Sequence, residues 1–322
     1  MSRLRIVFCG TPQFAVPSLR RLLSEPEFRM LGVFTQPDRP RGRGQEVSFS
    51  PVKETAFSAQ IPVHQPAKIR TPEAEEQLRA LQPDVIVIIA YGQIIPARLL
   101  PIPRLGWINL HASLLPKYRG AAPIHWAIAN GEALTGNTTM RIDAGMDTGE
   151  TLLRQELPIG ADETAPELAE RLAGAGSGLM VETLRGLQSG KLLSRPQDSV
   201  GVSYAPILKR EDGHIDWNKG SQEIYNRMRG FTPWPGAYTE FRGQTCHVWG
   251  QPVVAGEEPA AEPREGQAPG TLLHRRGKLG VACGAATRME LTYVKLEGRK
   301  RISAVEFANG ARLQPGERLG QH

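Results

Sequence analysis

The stretch LRIVFCGTPQFAVPSLRRLLSEPEFRMLGVFT, residues 4–35, decides the fold. Residues 4–9 are apolar apart from Arg5 and run into Gly10-Thr11-Pro12, which reads as a strand buried on both faces and closed by a tight turn. Val16, Leu19, Leu22 and Leu23 recur at helical spacing, and Pro17 suits a first helical turn. A second apolar run over 30–35 completes strand, helix, strand. That order makes a right-handed βαβ unit in a parallel sheet.

The pattern continues outward. Residues 36–45 read as a long loop; helices are predicted over 52–59 and 72–81, with a short strand over 61–64. Val85-Ile-Val-Ile-Ile-Ala90 is the clearest buried central strand. Trp107-Ile-Asn-Leu-His111 is a further strand, in which Asn109 and His111 share one face and Ser113-Leu-Leu-Pro116 breaks the strand into a loop. A helix over 122–130 stops at Gly131, and strands over 138–142 and 151–157 flank the turn DAGMDTG. Thr164-Ala-Pro-Glu167 is a capping-box pattern that opens a helix with Leu168 and Leu172, continued by another through Leu179, Leu184 and Leu187. Residues 188–206, rich in Ser, Gly, Pro and charge, read as a linker. Beyond a helix over 222–228 come short β-prone runs at 237–241, 245–249, 270–274, 278–283 and 289–294, the pattern of a small barrel or sandwich. Residues 257–270 read as a mobile surface loop. The expected organisation is an α/β, Rossmann-like parallel-sheet domain over 1–189, a linker over 190–206 and a small β domain over 207–322.

Composition narrows the class. With 322 residues, a net charge of +6 and a pI near 9.4, the chain is a mildly basic protein of about two domains, and a polyanionic partner is compatible with the charge. Cys9, Cys246 and Cys283 are far apart, with no CxxC and no His pair at ligand spacing, so neither a disulfide framework nor a metal site is indicated. The N-terminal apolar run is too short for a signal-peptide core, and the run 85–91 is far short of the ~20 residues that cross a bilayer. A cytoplasmic protein with reduced thiols is expected.

Three polar residues can carry chemistry. Acyl transfer to an amine builds negative charge on the carbonyl oxygen, which a carboxamide N–H and an imidazolium can hydrogen-bond; Asn109 and His111 supply those groups. A carboxylate beside an imidazole favours its protonated form and fixes its orientation, and it can also help remove the amine's proton; Asp147 supplies it. The bland alternative is a satisfied histidine at a strand end and an ordinary turn aspartate. The strand-end placement favours function, because open α/β sheets bind ligands there. The loop 113–116 could wall a flat heteroaromatic ligand, and Tyr91-Gly92-Gln93 is a second possible wall. The Gly10 turn is GTPQFA rather than GxGxxG and serves equally well as a tight βα turn. Arg39, Arg41 and Arg43 alternate with Pro and Gly, an arm suited to phosphates. Residues 206–322 carry seventeen Lys/Arg against thirteen Asp/Glu, and that excess of four points to RNA more than to a membrane; Arg275-Arg276, Lys278 and Arg299-Lys300-Arg301 could line one face.

These segments resemble the methionyl-tRNA formyltransferase family along nearly the whole chain: RIVFCGTPQFA, VFTQPDRPRGRG with SPVK, VIVIIAYGQIIP, INLHASLLPKYRGAAPI, TTMRIDAGMDTG, KREDGHIDW, RGFTPWPGAYT and LQPGERLG. The pair INLHASLLP and DAGMDTG is specific to formyltransferases that use 10-formyltetrahydrofolate. The arginine arm and the C-terminal segments narrow the resemblance to the initiator-tRNA enzymes. It implies a catalytic trio of Asn109, His111 and Asp147, a folate site including Ser113, Leu114, Leu115 and Pro116, and tRNA contacts from Arg39, Arg41 and Arg43. It further implies an OB-like C-terminal barrel that helps hold initiator Met-tRNA, and no metal. A monomer fits the lack of a long apolar seam. Two positions depart from the family pattern: Asn137 replaces an apolar residue, and Gln45-Glu46 replaces basic ones.

Three rival readings remain open on sequence. A formyl-folate enzyme acting on a sugar amine or glycinamide ribonucleotide would share the trio but lack the arginine arm joined to a basic β domain. An RNA-binding module with a degenerate core would not need intact Asn, His and Asp. A nicotinamide dehydrogenase would want GxGxxG and an acidic residue about twenty positions on.

Overall fold

A computed structural model describes residues 3–41, 46–253, 267–275 and 277–320. The chain forms two compact units, one of Met1–Pro123, Leu134–Ile159 and Glu167–Pro206, the other of Ile124–Ala133, Gly160–Pro166 and Ile207–His322.

The first unit begins β1 (Leu4–Gly10), α1 (Val16–Ser24), β2 (Phe28–Phe34), β3 (Arg39–Arg41), β4 (Glu46–Ser48), α2 (Pro51–Ser58), β5 (Val63–His64), α3 (Pro72–Leu81) and β6 (Val85–Ile89). It continues with β7 (Trp107–His111), then, beyond α4 (Pro123–Ala129), with β8 (Leu134–Arg141), β9 (Thr151–Pro158) and the long α5 (Ala165–Gln188). The sheet order is β5-β2-β1-β6-β7-β8-β9, parallel through β7 and antiparallel from there. Strand alternation sorts its side chains into two layers. Ile6, Phe8, Val87, Ile108 and Leu110 face the core shared with α1, α2 and α5, whereas Val7, Cys9, Ile86, Ile88 and Trp107 face the core shared with α3. Each such side chain fully removed from water stabilises the fold by about 1.5–3 kcal/mol. Capping sets the helix starts: Ser50 Oγ accepts the Lys53 N–H ahead of Pro51, and Thr71 Oγ1 accepts the Ala74 N–H ahead of Pro72.

Two local readings of the first unit need correction. Residues 165–188 form one helix, not two in succession. The glycines that interrupt its pattern are there for close approach: a Cβ on Gly176 would lie 2.6 Å from Leu110 Cδ2. The stretch 36–45 is not wholly loop, because Arg39–Arg41 pairs antiparallel with Glu46–Ser48. Residues 42–45, Arg43 among them, lie outside the described residues.

The second unit contains α6 (Ser221–Gly230), β10 (Tyr238–Phe241), β11 (Gln244–Pro252), β12 (Leu272–Arg275), β13 (Lys278–Ala282), β14 (Arg288–Leu296), β15 (Ile302–Ser303) and α7 (Ala304–Ala311). Its sheet runs β10-β11-β14-β13-β12, antiparallel, with β15 beside β14. The C-terminal segment bridges the two edge strands, barrel fashion. Leu272 and Leu319 N–H groups bond to Glu317 and Gly270 carbonyls, and Gly320 N–H bonds to Glu240 O. The fold is therefore α/β and Rossmann-like in its first unit, with a small β domain after it. Sequence reading missed α7, although Ser303 and Glu306 form a reciprocal capping box there. Most of the surface loop expected at 257–270 falls outside the described residues. Cys9, Cys246 and Cys283 are free and buried; burial pushes the Cys246 and Cys283 thiols up to about 12.

Candidate active site

Asn109 and His111 sit at the carboxyl end of β7, on the face that Trp107 occupies. Both are buried, at 9% and 6% exposure. The Asn109 carboxamide has no hydrogen-bond partner among the described residues. His111 is fixed from two sides. Its Nε2 lies 2.9 Å from the Tyr118 carbonyl, which can only accept, so Nε2 carries a hydrogen. Its Nδ1 lies 3.7 Å from Asp147 Oδ2. That carboxylate also accepts the Gly120 N–H at 2.8 Å. The structure thus brings together His111 and Asp147, thirty-six positions apart in the chain, through the β7–β8 pairing and the turn after β8.

The Asp147 turn is built by its own residues. Asp143 Oδ1 accepts the Gly145 N–H and the Thr148 hydroxyl, at 3.0 and 2.8 Å. Gly145 leaves room for Thr148, and Asp147 itself adopts a left-handed φ of 52°. The turn's polar and glycine residues are what its backbone requires.

The loop 113–116 divides its residues. The Ser113 hydroxyl donates to Lys117 O at 2.6 Å and Leu115 is fully buried, so both side chains hold the loop in shape. Thr138 Oγ1 donates to Ser113 O and accepts Leu115 N–H, tying the loop to β8. Leu114 and Pro116 keep partly exposed faces. Tyr91 and Gly92 both line a cleft at this end of the sheet, as expected of a wall, with the Tyr91 ring itself buried in the α3-side core. The Tyr91 carbonyl accepts Thr11 and Gln36 side chains. Gln93 is likewise engaged, bonded to Ile69 N–H and Pro66 O. A cleft of about 430 Å³, lined by Thr11, Gln36, Asp38, Ser50 and Gly92 among others, lies at the carboxyl ends of β1, β2 and β6. This is where the sheet order reverses on either side of β1, the usual ligand position in such sheets. Lys53 pairs with Asp38 there and holds that carboxyl below the usual range.

Other residues that reading the sequence missed come from 190–206, the stretch read as linker. Ser203 Oγ accepts Tyr118 N–H, and Ala205 N–H donates to Arg119 O at 2.7 Å. Gln197 bonds to Arg119, Asp147 and Gly149. Backbone partners such as the Tyr118 carbonyl carry no side-chain signature. Asn137, the apolar position lost, faces α5, where its amide donates to Leu172 O at 2.8 Å.

The second unit presents a row of rings outward. Tyr238, His247 and Trp249 alternate with buried Cys246 and Val248 on paired strands. The Arg301 guanidinium stands 5.3 Å from the Trp249 ring and 4.4 Å from Tyr293, and Arg210 stands 5.8 Å from Tyr238. Arg275 and Lys278 are cross-strand partners and so share one face of the sheet, where Lys278 pairs with Glu290; Arg276 lies outside the described residues. Among the described residues no group of three or more His, Cys, Asp or Glu could hold a metal ion, and no helix is long and apolar enough to cross a membrane.

Known proteins share the sequence and the fold. Residues 4–184 match the formyl transferase family model, and residues 207–312 match the formyl transferase C-terminal domain. The chain is 50% identical over 319 residues to methionyl-tRNA formyltransferase of Solibacter usitatus, covering 99% of each chain. The chain belongs to the methionyl-tRNA formyltransferase family. A second family member, from Geobacter sulfurreducens, is 50% identical over 323 residues, with 100% of this chain and 98% of that one covered. The fold is also that of the sugar 3N-formyl transferase WlaRD, crystallised with dTDP and 5-N-formyl-THF. That match has TM-score 0.63 at 18% identity and covers 93% of this chain and 100% of WlaRD. HypX from Aquifex aeolicus, in complex with tetrahydrofolic acid, matches with TM-score 0.61 at 15% identity, over 95% of this chain and 47% of HypX.

Proposed function

We propose that this chain transfers the formyl group of 10-formyltetrahydrofolate to the α-amino group of methionine on initiator Met-tRNA, making formylmethionyl-tRNA for translation initiation. The observation that carries the reading is identity near 50% to members of the methionyl-tRNA formyltransferase family across the full length of both partners. The catalytic domain is assigned to 1–189, the connection to 190–206 and the tRNA-binding domain to 207–322. The protein is assigned to the cytoplasm, as a monomer.

Bound 10-formyltetrahydrofolate supplies an activated one-carbon acyl group. The residues present fit it. The unpartnered Asn109 carboxamide is free to donate to a carbonyl oxygen, and the partly exposed Leu114 and Pro116 offer an apolar wall, backed by a loop that Ser113 and Leu115 hold in shape. The proton on His111 Nε2 is committed to Tyr118 O, so Nδ1 is the nitrogen that holds or gives a proton at the reacting centre. Asp147 Oδ2 faces that Nδ1, stabilises its charge and, directly or through a water, receives the amine's proton. Arg39, Arg41 and Arg43 are assigned to tRNA phosphates at the acceptor arm. The row of Tyr238, Trp249, Tyr293, Arg210 and Arg301 is assigned to the same RNA, with rings for stacking and guanidinium groups for phosphates.

The test is a formyl-transfer assay with 10-formyltetrahydrofolate against initiator Met-tRNA, elongator Met-tRNA and free methionine, at low and raised salt. Transfer to initiator Met-tRNA alone, weakened by salt, is expected. Folate binding without transfer to any of the three would move the acceptor to a small amine and overturn the assignment.

A further inference from the structure

We propose that Gln197 is a positioning residue for the formyl-transfer site: it clamps the Asp147 turn so that the Asp147 carboxylate faces His111. The inference rests on the functional reading above. Gln197 lies in the irregular stretch that follows α5, far in sequence from both residues it would serve.

Its hydrogen bonding is fully used. Nε2 donates to the carbonyls of Asp147 and Gly149, both at 2.8 Å, and Oε1 accepts from Arg119 Nε and Nη2 at 3.1 and 2.8 Å. The amide's orientation follows from its partners, since two carbonyls can only accept and a guanidinium can only donate. One side chain thus joins the two segments that bracket His111. Arg119 neighbours Tyr118 and Gly120, which bond respectively to His111 Nε2 and Asp147 Oδ2. Asp147 needs such a clamp because its φ of 52° is a conformation side-chain-bearing residues rarely keep unaided. The Asp143 bonds hold the turn's near side and Gln197 holds its far side. Gly149 has no slack either: a Cβ there would lie 1.9 Å from the Arg141 carbonyl.

The discriminating substitution is Gln197→Glu. It keeps the shape and the Arg119 contact, but sets a carboxylate oxygen against two carbonyls in place of two donors. We expect kcat to fall at least tenfold, with KM for folate and tRNA within twofold. If Gln197 acts only through Asp147, Gln197→Glu combined with Asp147→Asn will be no slower than Asp147→Asn alone, whereas a general structural role gives losses that multiply. A readout independent of the reaction is amide hydrogen exchange at Gly120, whose N–H bonds to Asp147 Oδ2. It should speed at least fivefold in ligand-free Gln197→Glu while the core strands β1 and β6 keep their protection. Should that variant not fold, Arg119→Lys removes the forked anchor on Oε1 and should show a smaller loss with the same dependence on Asp147. Multiplying losses, an unchanged kcat, or unchanged Gly120 exchange would each overturn the proposal. A wild-type protein that formylates none of the acceptors would overturn the functional reading instead and leave the exchange result intact.

Discussion

Replacing Asp147 with Asn tests the site at its electrostatic centre. The carboxamide has the carboxylate's shape and its oxygen can still accept the Gly120 N–H, so the turn should survive. What is lost is a negative charge 3.7 Å from His111 Nδ1. At that separation unit charges attract by about 1 kcal/mol in a medium of dielectric ~80 and by about 4.5 kcal/mol at ~20. Side-chain exposures of 6% for His111 and 17% for Asp147 put the pair in the upper half of that span. At 1.36 kcal/mol per decade, kcat should fall roughly 10²- to 10³-fold. Single-turnover transfer with saturating folate and Met-tRNA measures it, with tRNA affinity read by filter binding and folding by thermal melting. Affinity and melting temperature should hold, and His111→Ala should lose at least as much activity while still binding tRNA. A kcat within threefold of wild type in folded Asp147→Asn would refute the assigned role.

Other outcomes follow from the packing and the charges. Trp249→Ala and Arg301→Ala should each weaken tRNA binding about tenfold, and the second should lower the slope of log K against log salt by nearly 1, since one cation leaves the interface; unchanged slopes would remove the ring face from the RNA site. Gly136→Ala should destabilise by about 2 kcal/mol or more and slow transfer, because its Cβ would lie 2.0 Å from Gln155 O and 2.7 Å from Leu114 Cδ2; urea melts and the transfer assay read the two effects. Burial pushes the His125 pKa down, and its Nδ1 is buried without a partner. The unfolded chain therefore binds a proton that the folded one resists, so this residue's contribution falls as pH drops below ~6.5, toward its lower folded value. His125→Leu should flatten that part of the urea-midpoint profile between pH 7.5 and 5.5, and an unchanged slope would assign the dependence elsewhere.

Much of the α/β core was legible in the sequence because strand burial writes itself locally. Apolar runs at 4–9, broken only by Arg5, and at 85–90, with helical spacing between the first and the next, dictate parallel strands covered on both faces. The chemistry of DAGMDTG and the alternation of Asn109 with His111 were likewise readable, since side-chain type and period-2 spacing need no neighbours to be seen. Three matters were decided only in three dimensions. Gly176 looks like a helix breaker until α5 lies against Leu110, where a helix glycine's lost entropy is outweighed by close packing. Tyr91 stands two positions past the end of β6, beyond an exposed Ala90 with a left-handed φ of 48°, and that backbone turn sends its ring back into the α3-side core. Gln197 sits in a stretch with no periodicity, and its partners are two main-chain carbonyls and an arginine nearly eighty positions away. Side-chain chemistry, which a sequence states outright, determined what kind of site this is. Backbone groups are the same at every residue, so which of them hold that site in place was decided by the tertiary structure alone.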